Sequence, residues 1–191
     1  MLTPQQRFHV LRYCVARNLL TQRSAHKLSG ALARSIRRRG VDFDPQVIGS
    51  PARYGDELTE DLLLQLLPAA EEVVGQAVYP TYSYARVYQH GAVLKRHRDR
   101  EACEISLSLN LSCRGQSTWP FWIEGPLGVS SVRLKPGDAL FYHGIECSHW
   151  RHPFRGTQCV QVFLHYVAQD GPHASWRYDR RRVPPRHRTA P

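Results

Sequence analysis

The sequence predicts an α+β chain that is mainly β, a β-sandwich or jelly-roll barrel buttressed by N-terminal helices. Three observations predict it. Helical spacing of apolar residues is confined to roughly the first 78 positions. After Pro80 the period changes to two, and the short alternating stretches that follow are separated by Gly125-Pro126, Pro136-Gly137 and Arg155-Gly156. Helices first and many short strands later suit a buttressed sandwich or barrel. The 191 residues suit one well-buried structural domain: an N-terminal helical region over 1–78, a β core over 79–170, and a basic, solvated and disordered tail over 171–191.

Between residues 4 and 32, Phe8, Leu11, Val15, Leu19 and Leu20 recur at helical spacing, so one or two amphipathic helices are expected. Ser29-Gly30-Ala31 and Arg37-Arg38-Arg39-Gly40 interrupt the pattern, and 41–54, with Asp44-Pro45 and Ser50-Pro51, reads as loop. A clearer helix follows. Asp56 or Thr59 can cap it, Glu60 and Asp61 suit its positive end, and Leu62, Leu63, Leu64, Leu66 and Leu67 supply the buried face. It bends at Pro68 and stops at Gly75.

Residues 81–88 alternate so that Tyr82, Tyr84, Arg86 and Tyr88 share one strand face. Gly91 turns the chain into an extended 93–99. Residues 103–111 alternate again, with Ile105, Leu107, Leu109 and Leu111 against Ser106, Ser108 and Asn110. Further short strands are expected over 119–124, 129–134, 139–142 and 158–167. On the last, Gln161, Phe163 and His165 alternate with Val160, Val162 and Leu164.

Composition bounds the function. A chain that is 42% hydrophobic and 10% aromatic is globular, and no apolar run is long enough to span a membrane. The first residues lack the apolar core and cleavage site of a secretory signal, so a soluble, cytoplasmic protein is expected. The five cysteines are scattered singly, which indicates neither a zinc knuckle nor a disulfide framework; reduced, mostly buried thiols are expected. Much of the formal charge of +10 sits in Arg37-Arg38-Arg39 and in 177–188. Arg in excess of Lys, with abundant Ala, Leu and Pro, can reflect genome base composition, so the charge does not by itself indicate nucleic acid.

The chemistry starts at His97-Arg98-Asp99. On an extended strand residues i and i+2 point to one side, so an imidazole nitrogen and a carboxylate oxygen are presented together. A second His would complete the two-His, one-carboxylate facial set of non-haem Fe(II) oxygenases. His143, His149 and His152 compete for that place. The bland reading is a surface ion pair among Arg96, Arg98 and Arg100, which strand alternation would place on the opposite face, toward solvent.

Together these motifs carry a family resemblance. His97-x-Asp99, the strand Glu104-Ile105-Ser106-Leu107-Ser108-Leu109, Leu134-x-Pro136-Gly137-Asp138-Ala139-Leu140-Phe141-Tyr142, and His149 ahead of an apolar strand resemble the core of the 2-oxoglutarate- and Fe(II)-dependent dioxygenases, prolyl-4-hydroxylase-like branch. The resemblance implies a double-stranded β-helix (jelly-roll) core. It implies His149 as the distal iron ligand beside His97 and Asp99, with His143 a barrel-wall residue. The implied cofactors are Fe(II), 2-oxoglutarate and O2, with ascorbate a candidate accessory. Related halogenases are similar but carry Gly or Ala where Asp99 stands, so hydroxylation of an unactivated C–H bond is the implied reaction.

The chain departs from the family at one place. The position resembling the basic residue that holds the far carboxylate of 2-oxoglutarate is Gln158, which is uncharged. A buried dianion needs a cation, and Arg151, Arg86 and Arg155 are the candidates, in that order for the first two. Tyr84 and Tyr88 could add phenolic hydrogen bonds, and Gln161 could reach the pocket. Trp119-Pro120-Phe121-Trp122 reads equally as an aromatic lid or floor, or as a core strand. The implied partner is a small-molecule, amino-acid or peptidyl substrate, with no membrane and no readable oligomeric state. The alternatives are an oxidative nucleic-acid demethylase gripping phosphate with the basic tail, and a non-catalytic basic binding module on the same fold.

Overall fold

The computed structural model describes residues 2–39, 46–116 and 118–181. Helix α1 (Pro4–Leu11) starts in a capping box, with Thr3 Oγ1 accepting from the Gln6 N–H and Gln6 Oε1 accepting from the Thr3 N–H. It ends at Arg12 in the left-handed region (φ 65°). The helical spacing does not then continue, because residues 13–16 form strand β1 (Tyr13–Ala16). Tyr and Val suit a strand, and an edge of the main sheet lies ready to pair with them. Helix α2 (Gln22–Arg39) runs through Gly30, where a break is expected from sequence. One glycine costs a helix about 1 kcal/mol, which the burial of Ala25, Leu32 and Ile36 outweighs.

Within the predicted loop 41–54, residues 41–45 lie outside the described residues and the end forms strand β2 (Ala52–Tyr54). Asp56 caps α3 (Glu57–Gln65), accepting from the Leu58 N–H at 3.1 Å. Pro68 divides it from α4 (Leu67–Val74) by sitting in the new helix's first turn, where a missing N–H costs nothing, and Gly75 (φ 78°) ends the pair.

The strands that follow are β3 (Val78–Gln89), β4 (Leu94–His97), β5 (Ile105–Arg114), β6 (Phe121–Gly125), β7 (Gly128–Val132), β8 (Ala139–His143), β9 (Ser148–Arg151) and β10 (Gln158–Ala168), with a 3₁₀ turn at Glu101–Cys103. They make two antiparallel sheets, ordered β1-β8-β5-β10-β3-β2 and β4-β9-β6-β7. The fold is mainly β, a jelly roll with buttressing helices. One face of the large sheet, carrying Val87, Leu107, Leu109, Phe141, Val160 and Val162, packs on Phe8, Leu32, Leu63 and Val74 from the helices. The other face carries Tyr88, Ser106, Asn110, Tyr142, Gln161 and His165 toward the small sheet. That alternation places polar groups inside the barrel.

Asp138 fastens the N-terminal segment to this frame. Its buried carboxylate accepts from the Asn18 N–H at 3.0 Å, the Lys135 N–H at 3.0 Å and Arg17 Nη1 at 2.7 Å. The C-terminal segment is fastened too. Residues Ala174–Arg180 form 3₁₀ turns, and Asp179 accepts from both Arg100 terminal nitrogens (2.8 and 2.9 Å) and from the Tyr54 hydroxyl. Arg181 reaches buried Glu60 at 2.8 Å. The solvated tail expected from residue 171 is therefore an ordered strap as far as Arg181, because its charges find partners; 182–191 lies outside the described residues. A second correction concerns the cysteines. Cys113 and Cys159 stand opposite each other across β5 and β10 with Cα atoms 4.2 Å apart and are joined as a disulfide, while Cys14, Cys103 and Cys147 are buried thiols. Among the described residues no helix is long and apolar enough to cross a membrane.

Burial pushes the Asp138 carboxyl up, but the Asn18 and Lys135 N–H groups and Arg17 outweigh it and hold its pKa below the usual value. A depressed folded-state pKa contributes stability that is present above the unfolded value of about 4 and lost as pH falls through the folded value. Asp138→Asn is expected to lose about 1–3 kcal/mol at pH 7. Urea unfolding should show that the gap between wild type and variant narrows from pH 7 to pH 3.

Candidate metal centre and pocket

Strand β4 ends at His97, and β9 lies beside it with His149 opposite His97 in register. The register brings two imidazoles side by side, ring centroids 4.2 Å apart, at one end of the barrel. Asp99 follows two residues later, where its N–H donates to the Gly144 carbonyl at 2.9 Å and turns the carboxylate back toward both rings. Asp99 Oδ1 is 3.5 Å from His97 Nε2 and 3.5 Å from His149 Nε2. The three ligand atoms lie within 4.8 Å of one another.

The protonation pattern fits a metal. His97 Nδ1–H donates to the Lys95 carbonyl at 2.8 Å and His149 Nδ1–H to the Cys147 carbonyl at 3.0 Å. A carbonyl only accepts, so both Nε2 atoms are left to face Asp99. Burial disfavours the Asp99 anion, yet hydrogen bonds from His149 and His97 hold its carboxyl well below the usual range. Burial likewise disfavours charge on His97, but Asp99 and the Lys95 carbonyl outweigh it and raise its pKa. A divalent ion would take the place of that shared proton, and two imidazoles with one carboxylate are a donor set for iron-like metals.

Behind Asp99 lies a support that the sequence did not reveal. Ser106 Oγ is 2.9 Å from Asp99 Oδ2 and 2.9 Å from His165 Nδ1. Burial lowers the His165 pKa to about 4; because the Ser106 hydroxyl donates its proton to Asp99, it is the His165 Nδ1–H that donates to Ser106. Gly144 is needed here as well, since a Cβ on it would stand 2.6 Å from Asp99 Oδ2 and 2.7 Å from Ser106 Oγ. The alternation of Ser106 and His165 with apolar neighbours was the available signal.

The other His candidates lie elsewhere. His143 stacks on Phe8 with centroids 4.5 Å apart, and burial lowers its pKa to about 4. His152 is exposed beside Trp122. The triad opens on a cavity of about 280 Å3 whose walls include Tyr82, Tyr84, Arg86, Tyr88, Tyr142 and Phe163. Arg98 and Arg100 also line it while remaining exposed to solvent, as expected; regular strand alternation stops at His97, so they border the cavity as well. Arg96 does stay outside, paired with Glu124 and lying over Trp150.

Arg151 is buried between the rings of Trp119 and Phe121, its guanidinium carbon 4.7 and 5.0 Å from their centroids. It donates to the Trp119 carbonyl, and Nη2 is 3.4 Å from Gln161 Oε1. Gln161 in turn donates to Asn110 Oδ1 at 3.1 Å. Among the described residues no carboxylate pairs with Arg151, and Arg151 Nε and the buried Tyr88 hydroxyl have no hydrogen-bond partner. Burial lowers the Arg151 pKa to about 10, against the opposing influence of the Tyr88 and Tyr142 phenols. Arg86, by contrast, reaches Gln46 Oε1 at 3.2 Å and the Tyr84 hydroxyl at 3.3 Å. Arg155 is exposed. Trp119 and Phe121 are thus interior, and Trp122 lies on the outer side against Trp150.

The structure is similar to solved oxygenases. A prolyl-4-hydroxylase from Pseudomonas putida aligns with TM-score 0.68 and 16% identity, covering 85% of this chain and 95% of that one. HygX from Streptomyces hygroscopicus, solved with nickel and 2-oxoglutarate bound, aligns with TM-score 0.68 and 13% identity over 89% of each chain. SnoK, a non-haem α-ketoglutarate-dependent carbocyclase of nogalamycin biosynthesis, aligns with TM-score 0.73 and 12% identity, covering 88% of this chain and 85% of that one. At these identities the likeness is one of fold. No protein-family model matches the sequence. No curated protein matches it either. The chain has the fold of the prolyl-4-hydroxylase-like 2-oxoglutarate- and Fe(II)-dependent oxygenases, with a His-Asp-His cluster at its barrel mouth.

Removing the support behind Asp99 is expected to loosen the cluster without unfolding the barrel. Ser106→Ala should weaken Co(II) or Ni(II) binding about 10- to 100-fold by calorimetry, with an unchanged circular dichroism spectrum.

Proposed function

We propose that the protein is a 2-oxoglutarate-dependent dioxygenase that hydroxylates an unactivated C–H bond of a small molecule, an amino acid or a peptidyl residue. The observation that carries this reading is the convergence of His97 Nε2, His149 Nε2 and an Asp99 oxygen, with both Nδ1 atoms committed to carbonyls. His97, Asp99 and His149 would hold Fe(II) on one face. Bound iron with 2-oxoglutarate and O2 supplies the oxidising chemistry, coupled to release of succinate and carbon dioxide.

The chain's own part is positioning. Arg151 would hold the far carboxylate of 2-oxoglutarate, with Tyr88 donating a phenolic hydrogen bond beside it. A buried guanidinium without an anion is costly, and a bound carboxylate would satisfy both orphaned donors at once. Gln161 and Asn110 would set the Arg151 head group rather than supply charge. The role usually given to a basic residue on the last strand thereby passes to β9. Arg86 and Tyr84, hydrogen-bonded to each other on the cavity wall, would face the substrate side.

Two outcomes test the proposal. Anaerobically reconstituted protein should release succinate from 2-oxoglutarate on admission of oxygen, and His97→Ala or His149→Ala should abolish it; unchanged release in either variant sinks the reading. Arg151→Gln should weaken 2-oxoglutarate binding to the Ni(II)-loaded protein by about 2–5 kcal/mol, with Arg151→Lys recovering part of the loss. An effect in Arg86→Gln alone would reassign the carboxylate contact.

A further inference from the structure

We propose that Arg98 selects a small substrate bearing a carboxylate close to the carbon that is oxidised; the inference rests on the dioxygenase reading. The cavity wall carries Arg86, Arg98 and Arg100 against one carboxylate, Asp99, among the described residues. Asp99 faces two imidazoles and the metal position, so its charge is committed. The charge of Arg100 is matched by Asp179 through two hydrogen bonds. Arg86 is hydrogen-bonded to Gln46 and Tyr84. Arg98 makes no hydrogen bond, ion pair or ring contact among the described residues, although it lines the cavity.

Its surroundings repeat the pattern. Arg98 also borders an adjoining open groove, lined by Arg12, Glu124 and Glu146 among others. There Arg12 pairs with Glu146 at 3.2 Å and Glu124 pairs with Arg96, so that Arg98 is the cation left over between the two spaces. Arg98 is exposed to solvent, and a guanidinium without a protein partner on a cavity wall is available to an anion; its planar fork suits a carboxylate.

Chain geometry then limits the substrate. Arg98 lies between two triad residues, with Cα atoms about 3.8 Å from those of His97 and Asp99. Arg98 and all three triad residues line the same cavity, so an anion held by Arg98 shares the space onto which the metal position opens. The volume of about 280 Å3 is at the small end of ligand sites and must also admit part of the 2-oxo acid, which favours a small acid over a polymer.

The test uses isosteric pairs of small carboxylic acids and their primary amides, including N-acetylated amino acids. Binding to the full chain loaded with Ni(II) and 2-oxoglutarate is read by calorimetry, and acceleration of succinate release is read with Fe(II). Acids should bind about 10- to 100-fold more tightly than their amides. Arg98→Gln should erase that preference and Arg98→Lys keep part of it, both at an unchanged melting temperature. Equal binding of acids and amides, a preference that survives in Arg98→Gln, or ligation by oligonucleotides alone would overturn the proposal. So would an Arg98→Gln variant that loses 2-oxoglutarate as strongly as the acids, which would place Arg98 in the cosubstrate site. Failure of the wild type to release succinate from 2-oxoglutarate would instead overturn the dioxygenase reading, while the acid and amide binding data still decide the role of Arg98.

Discussion

A buried carboxylate that must stay ionised organises this molecule. Asp99 sits where solvent barely reaches, and its negative charge is tolerated because His97, His149 and Ser106 all face it. Each of those groups is held by something else. The imidazoles are fixed through their Nδ1 atoms by carbonyls two residues earlier in the chain, Lys95 and Cys147, and Ser106 is fixed by His165 from the last strand. The backbone of Asp99 hangs on Gly144, whose missing side chain makes room for the carboxylate. Strands β4, β5, β9 and β10, with the turn that follows β8, therefore converge on one anion. A metal ion at that point would replace a shared proton and leave the scaffold in place.

The second constraint is the opposite charge deeper in the barrel. Arg151 is as buried as the aliphatic core, yet it touches aromatic faces, a carbonyl and an amide rather than an acid. Burial of an unpaired cation is destabilising, and a protein that retains one gains an anchor for an anionic ligand. With Asp99 at the mouth and Arg151 behind, the interior carries charges of opposite sign. The helices and the C-terminal strap serve this arrangement indirectly, by holding the large sheet on which its polar face is built.

Much of this could be read in the sequence because period-two alternation survives wherever a strand has a wet or polar side. The Tyr82, Tyr84, Arg86, Tyr88 face and the Ser106, Ser108, Asn110 face were legible for that reason, as was the Asp138 turn. Strand β1 was not, since Val15 and Leu19 mimic helical spacing and only the open edge of β8 decides their conformation. The path of α2 through Gly30 depends on what its far side buries. The Cys113–Cys159 bond follows from a register between residues 46 apart, which spacing in the chain does not encode. Gly144 and His165 act through packing against Asp99, so their roles emerge only when the strands are assembled. The ordered strap to Arg181 likewise depends on Asp179 meeting Arg100 and Tyr54 across the fold.

His97, Asp99 and His149 are read as one metal centre at the cavity, with Arg151, buried behind it, proposed as the anchor for an anion. Anomalous diffraction from crystals grown with Mn(II) and 2-oxoglutarate tests this reading most directly. A single strong metal peak is expected, bound by both Nε2 atoms and the Asp99 carboxylate, with the far carboxylate of the 2-oxo acid on Arg151. A peak elsewhere, or a far carboxylate seated on Arg86 or Arg98 instead, would contradict it.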